Sequence, residues 1–381
     1  MVRTARLLPI VLAGAALLAP SFGPPALTRV APWLAAFFVA VQAAALARGR
    51  WRDAAVMASS LLFGLAVIEL GAGFIRKGPI ASVARDFTRA DDMLGWRLAD
   101  AGVFAARKVD PADGAAIFDQ TYTIADGRRR TASREDGPTV AFMGDSFTFG
   151  EGLADAQTLP QSFADAEGGA VRVLNLGVPG YGPQQVLRAV ETGRHDALFG
   201  PSLRAIVFET SAWHADRAAC KLAFTARAPR YILESDGLRL TGRCQEGLAG
   251  AIRTLLGGSA LFERFAWPAS GGATRADIEL YLAMLTRTAR LAQERHGAPF
   301  MIAYIPAFPS YLEPSGFTNA AIVERLRAAG LDVVDLPFDQ GAFLGRSIII
   351  ERDGHPSAFI NRVWADVLKR RFDERRIDLT H

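Results

Sequence analysis

The stretch Thr139-Val140-Ala141-Phe142-Met143-Gly144-Asp145-Ser146 decides how this chain folds. An uncharged, mostly apolar run is followed at once by a glycine and two polar residues. A short continuous apolar run of this kind is typical of a strand that is buried on both faces of a parallel sheet. A serine directly after such a strand lies at its carboxyl end, where α/β proteins bind their ligands.

The same pattern recurs along the rest of the chain. Further apolar runs occupy 171–176, 205–208, 300–305 and 331–336, and helical patterns occupy 184–198, 275–295, 319–329 and 356–371. Strands that alternate with helices predict a parallel sheet covered by helices on both faces. The predicted fold class is therefore α/β, with residues 138–381 as its main domain.

Three apolar runs precede this domain, at 7–22, 30–47 and 54–75. The second and third are 18 and 22 residues long, close to the roughly 20 residues that cross a bilayer core. The first is shorter and contains Pro9 and Pro20, which leaves a signal peptide as the alternative to a third span. We expect residues 1–78 to form a membrane anchor of about three transmembrane helices.

The net charge of +4 on the 381-residue chain is unevenly distributed. Residues up to Gly78 include eight basic and two acidic side chains, which leaves 35 basic and 37 acidic ones for the remainder. The excess positive charge thus belongs to the anchor. This distribution argues against a nucleic-acid partner, because a nucleic-acid binder gathers its basic residues on the folded domain.

The arginines also predict the orientation in the membrane. Arg3 and Arg6 precede the first run, and Arg48, Arg50 and Arg52 lie between the second and third. Positive loops remain in the cytoplasm, so the amino terminus is expected there. With three crossings, the domain after residue 75 lies outside the cytoplasm.

Residues 79–137 differ from both neighbouring parts. They are polar and contain turn signals such as Asp113-Gly114 and Asp126-Gly127. The alternating run Gln120-Thr121-Tyr122-Thr123-Ile124 predicts a hairpin strand. We expect a linker and a small β-rich lead-in here.

Three groups of residues carry the chemistry. Ser146 becomes a nucleophile only when a base takes its proton and a third group orients that base. His355 would be the base and Asp353 the orienting carboxylate, both directly before the last predicted helix. The glycines of the 175–182 segment, at the end of the second strand, would let backbone N–H groups approach an oxyanion.

These blocks resemble those of the SGNH (GDSL-type) hydrolases, and more narrowly their membrane-tethered bacterial members. The matching segments are 144–152, 175–182 and 353–356, in the family's order. The resemblance implies a flavodoxin-like three-layer α/β/α sandwich and metal-free ester hydrolysis or acyl transfer. It also implies Ser146 as the nucleophile, with Gly180 and the Ser146 backbone as oxyanion donors. Asp145 and Asn175 are further candidate residues for the oxyanion or for binding.

Two positions depart from the family's pattern. The family places its Asp three residues before the His, where this chain has Arg352, so Asp353 requires a differently turned loop. The asparagine of the third block is missing, and Trp213 or His214 lies in its place. His214 is the candidate replacement donor. Because loss of one oxyanion donor costs about 100- to 1000-fold in rate, the chemistry would be slower or tuned to a different acyl acceptor.

An insertion of the main domain is expected at about 211–275, near the carboxyl ends of the strands, where it would form a lid or substrate wall. It contains both cysteines of the chain, Cys220 and Cys244. Outside the cytoplasm these two would form a disulfide, and two free buried cysteines are the alternative.

The sequence therefore predicts a serine esterase or deacylase anchored in the bacterial inner membrane, with its catalytic domain in the periplasm. Its substrate would be an acyl ester of an envelope glycan or lipid. The alternatives are an O-acyltransferase with the same triad and a non-catalytic glycan-binding module. We expect no cofactor and no metal, because no metal-ligand spacing, phosphate loop or dinucleotide fingerprint is present.

Overall fold

The computed structural model describes residues 13, 25–75, 80–83, 87–110, 112–247, 259 and 272–379. The chain divides into two compact units. The first combines Met1–Gly78 with Gly247–Ser270, and the second combines Pro79–Glu246 with Gly271–His381. The predicted insertion at 211–275 is thus divided between the two units, since Gly247–Ser270 groups with the predicted anchor.

The first unit contains two long helices, α1 (Pro25–Leu46) and α2 (Arg50–Ile75), which pack against each other. Among the described residues one helical stretch, Arg50–Gly71, is long and apolar enough to cross a membrane, and Val30–Leu46 is a shorter apolar stretch. The predicted first span at 7–22 lies outside the described residues, apart from position 13.

A buried carboxyl group lies within this unit. Glu69 of α2 is fully buried and accepts a hydrogen bond of 2.8 Å from Ser259 Oγ. The indole N–H of Trp33 donates to the same Ser259 Oγ at 3.1 Å. Since an unpaired polar group is costly in an apolar environment, these bonds are what makes a carboxyl tolerable in such an apolar helix.

The described part of the second unit contains thirteen strands, most of them short. They are β1 (Ile80–Val83), β2 (Thr88–Asp91), β3 (Gly95–Leu98), β4 (Gly102–Val109), β5 (Ala116–Ala125), β6 (Arg128–Arg129), β7 (Thr139–Gly144), β8 (Arg172–Gly177), β9 (Leu203–Ser211), β10 (Pro229–Glu234), β11 (Gly237–Arg243), β12 (Phe300–Ile305) and β13 (Asp332–Asp335).

Helices follow most strands of the main domain. They are α3 (Ser146–Phe149), α4 (Leu159–Ala166), α5 (Pro183–Thr192), α6 (Asp196–Phe199), α7 (Ala215–Ala218), α8 (Arg275–His296), α9 (Pro309–Leu312), α10 (Asn319–Ala328) and α11 (Ala358–Arg375). Thr158, Thr274, Thr318 and Ser357 cap α4, α8, α10 and α11 by accepting a backbone N–H with their hydroxyl groups.

Five strands form the parallel part of the sheet, in the order β8-β7-β9-β12-β13. In chain order these are the second, first, third, fourth and fifth parallel strands, which is the flavodoxin-like arrangement. The predicted α/β fold class is confirmed. The chain reverses its direction of progress across the sheet at β7, so the crevice beyond the carboxyl ends of β7 and its neighbours is the expected ligand site.

Alternate residues of the parallel strands enter two separate cores. Ala141 and Met143 of β7 join the core under α5, α8 and α10, whereas Val140 and Phe142 join the core under α4 and α11. This period of two is the geometry of a strand with both faces buried. Burial of both faces explains why apolar and polar residues do not alternate in the run at 139–143.

The lead-in is not a separate element, because its strands extend the same sheet. β4 pairs antiparallel with β1 and β5, β5 pairs with β6, and β6 joins the edge of β8 where Arg129 lies opposite Asn175. The full sheet has nine strands, in the order β1-β4-β5-β6-β8-β7-β9-β12-β13. Residues predicted as a linker and lead-in therefore reach the carboxyl edge where Ser146 lies.

Cys220 and Cys244 form the predicted disulfide, with their Cα atoms 5.2 Å apart. The bridge packs against Ala228 and the half-buried Trp96. It thereby ties the segment after α7 to the end of the β10-β11 hairpin.

Candidate active site

Ser146 lies at the start of α3, two residues after β7 ends. Asp145 caps this four-residue helix by accepting the Phe147 N–H at 2.9 Å. The N–H groups of Gly150 and Glu151 both donate to the Ser146 carbonyl at 2.9 Å, and Gly150 ends the helix with a φ of +81°. The serine is thus held on a tight turn between a buried strand and a short helix.

The end of β8 lies directly against this turn. A Cβ atom on Gly177 would be 2.3 Å from the Phe149 nitrogen, so only glycine allows this approach. Val178 donates its N–H to the Gly144 carbonyl at 3.1 Å. The chain then turns at Gly180, whose φ is +83°.

Two backbone donors fit the predicted oxyanion site. Among the described residues, neither the Ser146 N–H nor the Gly180 N–H donates to a protein acceptor. One begins a helix, where the peptide dipoles favour negative charge, and the other lies in the turn after the neighbouring strand. These groups are the kind of donor that stabilises a developing oxyanion.

His355 and Asp353 are brought together as predicted. The His355 Nδ1–H donates to Asp353 Oδ2 at 2.6 Å, and the His355 backbone N–H reaches the same oxygen at 3.2 Å. The loop achieves the short spacing with two left-handed residues, Arg352 (φ +61°) and Gly354 (φ +92°). This turn is the different loop geometry that the Arg352 departure requires.

Asp353 has a second partner that the sequence did not indicate. The Lys108 ammonium group of β4 donates to Asp353 Oδ1. Burial alone would raise the pKa of Asp353, but the bonds from His355 and Lys108 outweigh burial and lower this pKa to about 2. Asp353 is therefore ionised at neutral pH and holds the imidazole in the tautomer with its proton on Nδ1.

The pKa of His355 is raised. Burial opposes this shift, but the hydrogen bond to Asp353 and the negative charges of Glu151 and Asp353 exceed it. A raised pKa makes the imidazole a stronger base for the serine proton.

Ser146 and His355 are not joined by a hydrogen bond within the described part of the chain. The Phe147 ring packs edge-on against the His355 ring at 5.6 Å between centroids. The nearest acidic oxygen to His355 Nε2 is Glu151 Oε2, at 3.7 Å. Catalytic hydrogen bonds of this kind commonly tighten only when the substrate is bound.

A buried arginine fixes the turn that carries Ser146. The Arg129 guanidinium donates to the carbonyls of Phe149 (2.8 Å), Gly150 (2.6 Å) and Leu153 (2.6 Å) and to Asp155 Oδ1 (3.0 Å). Its side chain is fully buried. Burial lowers the pKa of Arg129, and the Asp155 charge opposes that shift.

The structure does not support His214 as an oxyanion donor. Its ring is buried, with Nε2 3.1 Å from Asp145 Oδ2 and Nδ1 3.0 Å from the Thr210 hydroxyl. Burial and the Arg217 charge lower the pKa of His214, so the ring is neutral. Both nitrogens are engaged beneath Ser146, which makes His214 a support for Asp145.

Asp145 and Asn175 also have structural partners. Asp145 Oδ2 accepts from Arg217 at 2.6 Å. Burial opposes ionisation, but Arg217, His214 and the Phe147 N–H hold the pKa of Asp145 far below its usual range. Asn175 is fully buried, accepts the Gly177 N–H at 3.1 Å, and donates to the Phe149 carbonyl. Neither side chain is placed to bind a substrate oxygen.

Trp213 lies in the short helical turn directly after β9. Its ring is half-buried and lies 5.8 Å from the Phe147 ring, which in turn lies 6.0 Å from the Phe338 ring. The three rings form an apolar wall beside His355.

A separate pair of aromatic rings, Trp96 and Phe224, flanks Gly180. A Cβ atom there would be 3.3 Å from the Trp96 ring and 3.4 Å from the Phe224 ring. Trp96 donates its indole N–H to the Pro179 carbonyl at 3.0 Å, whereas Phe224 is 54% exposed. These rings border the turn that carries the second oxyanion donor.

Three residues with a part in this site were missed by the sequence reasoning. Arg129 and Lys108 belong to the lead-in, and no motif in that stretch signals their partners. Glu151 lies inside the matched 144–152 block, so its proximity to Ser146 was available from the sequence.

The comparisons with known proteins give structural likeness only. No family model matches the chain, and no curated protein matches it. Among solved structures, the chain is similar to lipolytic proteins of the G-D-S-L family from Desulfitobacterium hafniense (12% identity, TM-score 0.36, 61% of this chain and 99% of that one) and from Veillonella parvula (14%, 0.37, 62% and 99%). It is also similar to the psychrotrophic esterase EstA from a Pseudoalteromonas species (13%, 0.36, 63% and 99%).

Replacement of Arg129 tests the support of the serine turn. Arg129→Lys keeps the charge but loses the fork that serves three carbonyls, so we expect a loss of about 2–4 kcal/mol of stability. Labelling of Ser146 by a fluorophosphonate should slow at least about tenfold, because a small displacement of a nucleophile has a large effect on its reactivity. Thermal unfolding and labelling rates measure both effects. The neighbouring Arg128→Lys is the control, and equal behaviour of the two variants would remove this role from Arg129.

The pH dependence of labelling tests the His355–Asp353 pair. His355 must be neutral to act as a base, so labelling of the unmodified protein should rise with pH through a value above the ordinary histidine pKa of about 6.5. Asp353→Asn removes a bond and a charge that raise this pKa. The rise should then move to lower pH, and the plateau should fall by about 10³- to 10⁴-fold. Asp113 binds Arg352, the residue before Asp353. Asp113→Asn is the control and should leave the pH profile of labelling unchanged. A profile unchanged by Asp353→Asn would contradict the pairing.

Proposed function

We propose that this chain is a membrane-anchored, extracytoplasmic serine esterase that removes acyl groups from an envelope glycan or lipid. The observation that carries the proposal is the arrangement at one sheet edge. Ser146 begins a helix, Asp353 orients His355 at 2.6 Å, and the Ser146 and Gly180 N–H groups have no protein acceptor among the described residues. Nucleophile, base, orienting acid and oxyanion donors are the full set that acyl transfer requires.

The reaction follows from these positions. His355 Nε2 accepts the Ser146 proton while Oγ attacks the ester carbonyl carbon, and the carbonyl oxygen becomes an oxyanion bound by the two N–H groups. The His355 Nε2–H then protonates the leaving alcohol, and an acyl-Ser146 ester remains. Asp353 keeps its negative charge throughout and stabilises the imidazolium.

The aromatic rings on the two sides of the site support a substrate with an apolar acyl group. Phe147, Trp213 and Phe338 lie on the His355 side, and Trp96 and Phe224 lie beside Gly180. All five rings are half-buried or exposed, so they are able to contact an apolar group or the apolar face of a sugar. An acyl group held between them would be shielded from water while its carbonyl faced the oxyanion donors.

Activity measurements test the proposal. The unmodified protein should hydrolyse short-chain acyl esters, and a fluorophosphonate should label it at Ser146. Ser146→Ala should abolish both, and His355→Ala should lower both by at least about 10³-fold. Ser202→Ala is the matched control and should retain full activity, because Ser202 lies directly before β9, at the edge of the sheet away from Ser146. Absence of labelling in the unmodified protein, or equal labelling of His355→Ala, would refute the esterase assignment and leave a binding module.

The extracytoplasmic location is part of the proposal. The arginines before the first apolar run and between the second and third support it through the positive-inside rule. The Cys220–Cys244 disulfide supports it too, because such bonds persist in oxidising compartments. Alkaline phosphatase fused after His381 should be active in a bacterial inner membrane, whereas the same enzyme fused after Arg52 should be inactive. This topology would be overturned if the phosphatase fused after His381 were inactive and a reporter that fluoresces only in the cytoplasm were fluorescent at the same site.

A further inference from the structure

Glu151 places a carboxylate at the reactive nitrogen of the base. It belongs to the Ser146 turn, since its backbone N–H donates to the Ser146 carbonyl at 2.9 Å. Its Oε2 lies 3.7 Å from His355 Nε2. Both side chains are partly open to solvent, with exposed fractions of 25% for Glu151 and 21% for His355.

The Glu151 side chain has no structural partner that explains its position. Within the described residues, its carboxylate makes no hydrogen bond to a backbone group or to another side chain, and the imidazole of His355 is the cation-forming group beside it. Arg129 already binds the carbonyls that follow α3. Retention of the turn therefore does not account for a carboxylate at this point.

The distance between the two groups suits an oxygen atom placed between them. Because His355 Nδ1 is occupied by Asp353, Nε2 alone can take a proton from the acceptor that attacks the acyl-enzyme. His355 Nε2 and Glu151 Oε2 are 3.7 Å apart. A single oxygen atom can therefore form hydrogen bonds of about 2.8 Å to both atoms. Two neighbouring hydroxyl groups can do the same, with one bond to each atom. An acceptor with a second O–H would thus meet both groups at once.

We propose that Glu151 binds the acyl acceptor during deacylation and selects acceptors with a second O–H beside the attacking one, namely water or a vicinal diol such as a sugar provides. This inference rests on the proposed function, because it assigns the acceptor step of the same site. It makes Glu151 the residue that favours water and sugar hydroxyl groups over simple alcohols as acceptors.

The step balances with the groups present. The attacking O–H gives its proton to His355 Nε2 as its oxygen bonds to the acyl carbon, and the second O–H donates a hydrogen bond to Glu151 without transferring its proton. The carbonyl re-forms as the bond from the acyl carbon to Ser146 Oγ breaks. Oγ then recovers the proton from Nε2–H, and the product is a carboxylic acid from water or a new ester from a diol.

An accepting role requires Glu151 to be ionised, and its raised pKa moves that requirement to higher pH. Burial and the nearby Asp353 and Asp145 charges raise the pKa of Glu151, while His355 and Lys108 oppose that shift, with burial the largest influence. Protonation of Glu151 at low pH would remove the acceptor for the second O–H. The same carboxylate raises the pKa of His355, so its loss should also move the rise of activity to lower pH.

Separate measurement of the two half-reactions tests the inference. In Glu151→Gln, acylation of Ser146 by p-nitrophenyl acetate should stay within about threefold, whereas decay of the acetyl-enzyme should slow by about 10- to 100-fold. Rapid-quench mass spectrometry follows both steps on Ser146. Glu135→Gln, at an exposed position of the same unit, is the matched control, and thermal unfolding checks that the variants fold equally well.

A partition experiment addresses acceptor choice directly. With the unmodified protein, glycerol should capture the acetyl group more readily than 1-propanol at equal concentration, because only glycerol offers a neighbouring O–H. Glu151→Gln should lose this preference, and Glu151→Asp, which keeps the charge on a shorter side chain, should retain part of it.

The outcomes separate the two proposals. Equal slowing of acylation and deacylation, unchanged deacylation, or an unchanged glycerol preference in Glu151→Gln would overturn the acceptor role while leaving the esterase intact. Failure of the unmodified protein to form an acetyl-enzyme would instead refute the proposed function, and the acceptor role with it.

Discussion

The placement of Ser146 depends on a single buried cation. α3 is only four residues long, too short to be stable by its own hydrogen bonds, and backbone carbonyls of its last residue and of the residues after it lie inside the protein. The Arg129 guanidinium satisfies three of them, since its rigid fork presents several N–H donors in one plane. The Phe149 and Tyr122 rings lie 4.7 and 4.4 Å from the guanidinium carbon. The cation is thus enclosed by the turn that it holds.

The position of His355, the proposed general base, also depends on residues of the lead-in. Lys108 of β4 binds the oxygen of Asp353 that His355 does not use, and Arg352 binds Asp110 (2.9 Å) and Asp113 (3.1 Å) of the β4-β5 connection. The loop with the acid and base is therefore fixed by the added strands. The proposed nucleophile and base follow elements of the parallel part of the domain, but contacts from antiparallel strands that precede it in the chain fix their orientation.

The parallel sheet and the motif residues could be predicted because their signals are local. A buried strand is an apolar run, and Asp353 is near His355 in sequence, so patterns of a few residues suffice. The lead-in strands alternate weakly, and their place beside β8 is fixed by Arg129 opposite Asn175, a contact that no spacing reveals. His214 was assigned to the oxyanion from its position after β9. Its side chain turns inward because Asp145, buried and ionised, needs donors on that side.

The charge balance beneath Ser146 explains why so many acidic groups can surround a serine nucleophile. Glu209 is fully buried and bonded to the Thr148 hydroxyl at 3.0 Å, and burial together with the Asp145 charge raises its pKa far above the usual range. Glu209 is therefore neutral, so Asp145 is the one ionised carboxylate of this group and Arg217 compensates it. A second buried anion would oppose formation of the oxyanion above it. The carboxyl group of Glu151 lies beside His355 Nε2, the Phe147 ring packs against the His355 ring, and Trp213 packs against Phe147. Because Glu151 Oε2 lies 3.7 Å from His355 Nε2, an acceptor that reaches Nε2 also meets that carboxyl group, and we expect the polarity of the acceptor to govern the second half of the proposed reaction.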